Sequence, residues 1–362
     1  MNILILSCGT RNKIVRYFKE AVGNTGKIIT TDCSPYAPAL YEADAYYVVP
    51  RISDPNYLDI ILSICKGEHI SGVLSLIDPE LSLLAQNAAA FDAIGATIIG
   101  SSFALCELAL DKWAMYQWLS AHGYPCAKTY INLTEFKQAL RSCQITFPVF
   151  VKPRFGSASL HISKAENLET VEFLFSHQPD MIIQEFLKGQ EIGADVYIDM
   201  LSGQVVSIFA KKKLAMRAGE TDKAISFKDD ALFRLISRFV AECGYRAQID
   251  IDIFQIENDY YISEVNPRFG GGYPHGHACG VKTPPLIIAN LNHQINTAMI
   301  GNYQDGLIMM KYNELKILAT GDSSCDTNSN SSQPQRGAVR FSQGFDCGIE
   351  EICAGHGCCS AE

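Results

Sequence analysis

Over the first hundred residues, short apolar runs alternate with segments whose apolar positions recur every three to four residues. Residues 3–6 (Ile-Leu-Ile-Leu) form an unbroken apolar run, the mark of a strand buried on both faces. Residues 12–21 carry Ile14, Val15 and Phe18 on one face of a predicted helix. A second strand is predicted over 27–31, ending at Asp32, and a third over 72–76. This rhythm predicts a parallel sheet covered by helices, an α/β unit spanning 1–100. Ser7, Cys8, Gly9 and Thr10 follow the first strand, where such folds often bind ligands. They do not spell G-x-G-x-x-G, which argues against a dinucleotide site.

Beyond residue 100 the pattern changes. Helical spacing over 111–122 is stopped by Gly123, Tyr124 and Pro125. Residues 147–153 read as a strand entering a glycine- and serine-containing loop, and 181–186 as another buried strand. Period-two alternation over 195–200 and 248–254 marks further strands, and 260–265 pairs with the latter through a turn at Glu257, Asn258 and Asp259. Runs of strands with intervening helices indicate an α+β region. It divides into units over 101–183 and 184–315, followed by a tail, 316–362, whose Ser, Asn and Asp content over 321–335 predicts a flexible linker.

Composition narrows the class. At 362 residues, with 48% hydrophobic and 19% charged residues, the chain has material for two or three packed units. A formal net charge of -9 argues against a general nucleic-acid binder. No apolar stretch reaches about 18 residues, so no transmembrane helix is expected. The short apolar start lacks a basic leader, and eight of the thirteen cysteines sit singly in predicted core segments. Reduced thiols and a cytoplasmic location are expected. Cys347, Cys353, Cys358, Cys359 and His356 in the tail fit no zinc spacing, so an ordinary tail is preferred there to a metal site.

The chemistry gathers in two places. Alternate strand residues share a face, so Asp250 with Asp252, and Glu264 with Asn266 on the neighbouring strand, would bring three carboxylates and an amide oxygen to one surface. Such a gathering needs a counter-charge, and oxygen donors of this hardness suit Mg²⁺ that also shares phosphate oxygens. Arg268 beside them can meet a phosphoryl group through paired hydrogen bonds. Upstream, Lys152 ends a strand so apolar that it must snorkel out or meet an anion. Gly156, Ser157, Ala158 and Ser159 then offer N–H groups and hydroxyls for phosphate oxygens. A solvated acidic hairpin and a plain serine loop are the blander readings of the two.

Asp111-Lys112 before a helix, the 147–153 strand, the 156–159 loop, the run Gln184 to Glu191, and Glu264-Val265-Asn266-Pro267-Arg268 resemble, in order, the motifs of the ATP-grasp superfamily. They are most similar to stand-alone proteins resembling the carbamoyl phosphate synthase large subunit, in which Arg217-Ala218-Gly219-Glu220 and the glycines after Phe269 are also familiar. The resemblance covers roughly residues 1–315. It implies a Rossmann-like N-terminal domain, a lid, and a C-terminal antiparallel-sheet domain. It also implies ATP and Mg²⁺ (or Mn²⁺) as cofactors. The activity implied is a carboxylate-amine ligase acting on small molecules, an amino acid or peptide-like compound, through an acyl phosphate, and a homodimer is allowed.

By the same resemblance, Lys112 and Lys152 would contact phosphates under the Gly156, Ser157, Ala158 and Ser159 loop. The backbone of Glu185, Phe186 and Leu187 would read adenine, and Glu191 would hold the ribose. Asp252, Glu264 and Asn266 would bind the metal, with Arg217 and Arg268 on the transferring phosphoryl group or the acyl phosphate. Ala158 and His161 stand where glycines are common, and Asp252 where close relatives often carry Gln. Alternatives are carbamate or bicarbonate phosphorylation, and an ATP-binding regulatory protein without turnover. Lys211-Lys212-Lys213 fits a solvated edge or a phosphate-side strip equally well. His275, His277, Asp78 and Glu80 could face the cleft, although structural roles are the more ordinary reading.

Overall fold

The computed structural model describes residues 1–156, 162–318 and the backbone of 335–337. The N-terminal unit is a sheet of order β3-β2-β1-β4-β5, built from β1 (Asn2–Leu6), β2 (Ile28–Asp32), β3 (Ala45–Val48), β4 (Ile70–Ser75) and β5 (Thr97–Ile98), all parallel. Ile3 to Leu6 of β1 are fully buried, as the apolar run requires. Helix α1 (Asn12–Val22) packs Ile14, Val15, Phe18 and Val22 on one face of the sheet. On the other face, α2 (Tyr57–Gly67) contributes Ile61 and Ile64. Helices α3 (Asp78–Gln86) and α4 (Ala88–Asp92) complete the unit. The strand expected third, over 72–76, is the fourth. The short β3 precedes it, too brief to show a period.

Helices α5 (Phe103–Leu110) and α6 (Lys112–Ala121) lead to a small sheet of order β6-β9-β7-β8. Its strands are β6 (Thr129–Tyr130), β7 (Val149–Pro153), β8 (Ser163–Ala165) and β9 (Met181–Glu185), covered by α7 (Leu133–Arg141) and α8 (Leu168–His177) around Phe136, Val149, Val151 and Ile183. The expected unit 101–183 does not hold together as one body. Met115 and Leu119 of α6 bury with Ile249, Ile251 and Val265, so α6 belongs to the core of the following sheet and the lid begins after it.

That following sheet is antiparallel, of order β14-β13-β10-β11-β12-β15. It comprises β10 (Gln190–Ile198), β11 (Val205–Arg217), β12 (Glu220–Phe227), β13 (Ala247–Ile256), β14 (Asp259–Asn266) and β15 (Ile308–Met310). Helix α9 (Asp230–Cys243) buries Leu232, Phe233, Ile236, Phe239 and Val240 on one face. The opposite face joins the N-terminal unit: Tyr197, Val206, Phe269 and Tyr273 share a cluster with Ile14 and Phe18. Helices α10 (Tyr273–Ala278) and α11 (Thr283–Leu291) seal this seam. A strand β16 (Gln335–Gly337) runs antiparallel to β3. Among the described residues no helix is long and apolar enough to cross a membrane.

Candidate functional site

The β13–β14 hairpin pairs Asp250 with Asn266 and Asp252 with Glu264: alternation puts each strand's two residues on one face, and a register shift between Asp252 and Ile253 sets the two faces together. All four side chains line one cleft of about 330 Å³, together with Lys152, Glu185, Leu187, Glu191 and Arg268. The cleft lies between the lid, the large sheet and the tip of the N-terminal unit, so each unit contributes charge to it.

Lys152 does not snorkel. It is 8% exposed at the end of β7. Burial pushes its ammonium down to about 8, with Lys112 acting in the same sense and Glu264 opposing. Glu264 is the mirror image: burial raises its carboxyl above the ordinary range, and Lys112 and Lys152 pull it back. Lys112 is set by its neighbours. Asp111 caps α6 by accepting from the N–H groups of Trp113 (3.0 Å) and Ala114 (3.2 Å), and takes Arg154 in two ion-paired hydrogen bonds, one of 2.7 Å. The Lys112 N–H then donates to the Arg154 carbonyl (3.1 Å), and its ammonium reaches the Gly156 carbonyl. Ser157, Ala158, Ser159 and His161 lie outside the described residues.

Asp252 is held by Lys213, whose Nζ stands 2.7 Å from it and 2.7 Å from Glu191. Burial disfavours that ammonium, but Asp252 and Glu191 more than reverse the effect and raise it above the lysine range. Alternation along β11 puts Lys211 beside Lys213, at 2.5 Å from the buried Asp195. Lys212 points the other way, over the Phe227 ring at 5.0 Å. The triple lysine is therefore neither a solvated edge nor a uniform strip. A β-carbon at Gly272 would stand 2.5 Å from Lys211 Cε, so bare backbone there admits its stem.

Arg268 donates to Asp78 through Nε (3.1 Å) and Nη2 (3.0 Å), and to Asn266 Oδ1 at 3.1 Å. Asp78, at the first turn of α3, thus reaches the cleft from the N-terminal unit. Glu80 does not: it is fully buried and accepts from Tyr57 and Ser75 hydroxyls. At the end of β9, the Glu185 N–H donates to the Lys128 carbonyl (2.8 Å), and the Lys128 N–H donates to Glu185 Oε2 (3.1 Å). Phe186 turns instead to Phe150, with ring centroids 5.2 Å apart.

Arg217 is not brought to this cleft. Its side chain is 53% exposed, pairs with Asp222 at 2.8 Å, and faces a second, larger cavity. It ends β11, and the turn through Ala218 and Gly219, both at positive φ, carries it over the rim. His275 borders that larger cavity, its Nε2 3.0 Å from the Leu307 carbonyl. His277 is stacked on Tyr17 with ring centroids 3.5 Å apart. Burial pushes both imidazoles down to about 4, so both are neutral packing groups at pH 7. Lys213 was legible only as part of a lysine run, and Arg11, which lines both cavities, gave no signal beyond its place in the first loop. Among the described residues no three His, Cys, Asp or Glu side chains form a metal-holding group by themselves.

A PylC-like N-terminal domain model matches residues 3–99, and an ATP-grasp domain model matches 109–272. Among curated proteins, a D-alanine--D-alanine ligase of Natranaerobius thermophilus is 24% identical over 209 residues, covering 49% of this chain and 56% of that one. The carbamoyl phosphate synthase arginine-specific large chain of Bacillus subtilis is 23% identical, covering 55% of this chain and 18% of that one. The chain thus spans about half the length, or less, of such relatives. The biotin carboxylase domain of Hydrogenobacter thermophilus 2-oxoglutarate carboxylase superposes with a TM-score of 0.69 at 16% identity, covering 84% of this chain and 73% of that one. N5-carboxyaminoimidazole synthetase from Staphylococcus aureus does so at 0.64 and 15%, covering 81% and 77%. With both domain models in order and the fold shared, this chain carries a PylC-like N-terminal domain followed by an ATP-grasp domain.

Proposed function

We propose that this protein is an ATP-dependent ligase: it activates a carboxylate as an acyl phosphate and joins it to an amine, releasing ADP and phosphate. The observation that carries the reading is the single cleft in which Lys152, Asp252, Glu264, Asn266 and Arg268 meet Glu185, Leu187 and Glu191. Lys112 and Lys152 are assigned to the nucleotide phosphates, the 185–187 backbone to adenine, and Glu191 to the ribose. Curated relatives named as ligases support the class of reaction.

The donor set fits a hard divalent cation. Asp252, Glu264 and Asn266 offer oxygen only, and they are too few to hold an ion without further oxygens, which agrees with a metal that shares phosphate oxygens. Mg²⁺ bound there would neutralise phosphate charge. The chain's own groups prepare for the same event. Burial makes the charged forms of Lys152 and Glu264 costly, and entering phosphates favour the charge on the lysine as entering cations favour that on the glutamate. Arg268, fixed by Asp78 and Asn266, presents a preorganised guanidinium, and phosphoryl transfer depends on such electrostatic placement. Arg217 faces the larger cavity, which supports a role for it on the substrate side.

The test is ADP release from the full chain with ATP, Mg²⁺ and a panel of carboxylate and amine pairs. A responding pair is expected, and Glu264→Gln should slow it by about 10²-fold or more. Unchanged turnover in Glu264→Gln would make the metal assignment wrong. Nucleotide binding with no substrate-stimulated release would favour a regulatory ATP-binding protein.

A further inference from the structure

The larger cavity, about 1100 Å³, lies between the start of α1 and the chain from β15 to Lys316. It meets the cleft along a wall made by Arg11, Ala218, Glu220, Thr221 and Gly271, which line both. There Arg11 of the N-terminal unit pairs with Glu220 at 2.8 Å, and Glu220 also accepts from Lys311 at 2.9 Å. Burial disfavours the charge on Arg11, Glu220 sustains it, and the positive charge of Arg268 opposes it. Two guanidiniums from two units therefore face one junction. A β-carbon at Gly271 would stand 2.9 Å from Arg11 Nη1 and 2.7 Å from the Glu220 carboxyl carbon, so only bare backbone leaves room for this pair.

We propose that Arg11 receives the carboxylate that is to be activated, exchanging Glu220 for it, while the body of an amino acid or short peptide fills the larger cavity. This rests on the ligase reading. The exchange is inexpensive because the half-buried Glu220 keeps Lys311 when Arg11 leaves it, so neither carboxylate is left without a cation. A carboxylate on Arg11 sits at the mouth of the cleft that holds Arg268. Ile14, Tyr17, Pro274 and Met309 give the cavity an apolar wall for the remainder of the molecule. Its volume is in the range that takes ligands larger than one amino acid, which leaves space for the amine partner.

The experiment uses the full chain with ATP, Mg²⁺, hydroxylamine as the amine, and a panel of L- and D-amino acids and dipeptides. Hydroxamate formation reports activated carboxylate. Arg11→Ala should raise the KM of a responding carboxylate roughly 10- to 100-fold, the worth of a charged hydrogen bond, with the KM for ATP unchanged. Arg11→Lys should recover part of the loss. Glu220→Gln, which removes the competitor, should lower that KM, a sign opposite to Arg11→Ala that a merely structural pair would not produce. The proposal is overturned if Arg11→Ala leaves the carboxylate KM unchanged, or if no amino acid or dipeptide yields hydroxamate although calorimetry shows a non-hydrolysable ATP analogue binding. Failure of the unmodified protein to bind that analogue would instead overturn the ligase reading itself.

Discussion

Replacing Lys152 by Met should stabilise the nucleotide-free protein while weakening nucleotide binding. Methionine keeps the length of the stem and removes the ammonium. In the folded protein that ammonium is pushed down from 10.5 to about 8, and at about 1.4 kcal/mol per tenfold this makes the charged form costly by about 3 kcal/mol at pH 7. Glu264 loses one of its two lysine neighbours in the variant, so about 3 kcal/mol is the ceiling of the gain. The sign follows from linkage: a lysine whose folded value lies below its unfolded one penalises the folded state fully below about pH 8. The penalty fades as pH rises toward 10.5, and the difference between the two proteins should fade with it. Urea denaturation followed by circular dichroism, at pH 7 and 9.5, measures it. With an ATP analogue at about a hundred times its Kd, the unmodified protein should gain about 2.7 kcal/mol. The variant, lacking a contact worth roughly 1.5–3 kcal/mol, should gain much less. A variant less stable than its parent at pH 7 without nucleotide, or a difference that does not shrink at high pH, refutes the reasoning.

Two further outcomes follow from the same packing. Asp195→Ala strands the Lys211 ammonium in the protein interior and should cost about 3–5 kcal/mol in urea denaturation, whereas the double variant Lys211→Met/Asp195→Leu should recover most of that loss. If single and double variants lose equally, the pair is not what holds the region. Asp78→Asn loosens Arg268 and should reduce kcat on the order of 10²-fold with little change in nucleotide affinity; an unchanged kcat would show that Arg268 needs no anchor.

Much of the site was readable from local rules. Period-two alternation puts Asp250 with Asp252 on one face of β13 and Glu264 with Asn266 on one face of β14, but it is the register shift between Asp252 and Ile253 that sets the two pairs opposite each other. Helix α1 and strand β1 were equally legible, since a continuous apolar run and a one-sided apolar face have few other uses. Strand β3 leaves no signal in the sequence because four residues carry no period, and its pairing is supplied by β2. Helix α6 adjoins the lid in sequence, but its apolar face is claimed by the larger sheet, a partner that no local pattern names.

Local pattern is enough to read which chemistry this chain can hold: a lysine at the end of an apolar strand, oxygen donors on a hairpin, and an arginine beside them. Alternation and local backbone geometry act over a few residues, so they survive without knowledge of the fold. Which charges are shared depends on how distant segments pack. Asp252 belongs to Lys213 and Glu191, Arg268 to Asp78 from another unit, and Arg217 to the larger cavity rather than the cleft. Ion pairs between residues as far apart in sequence as 78 and 268 depend on how units pack, and burial, which sets the charge of Lys152 and Glu264, exists only once they have.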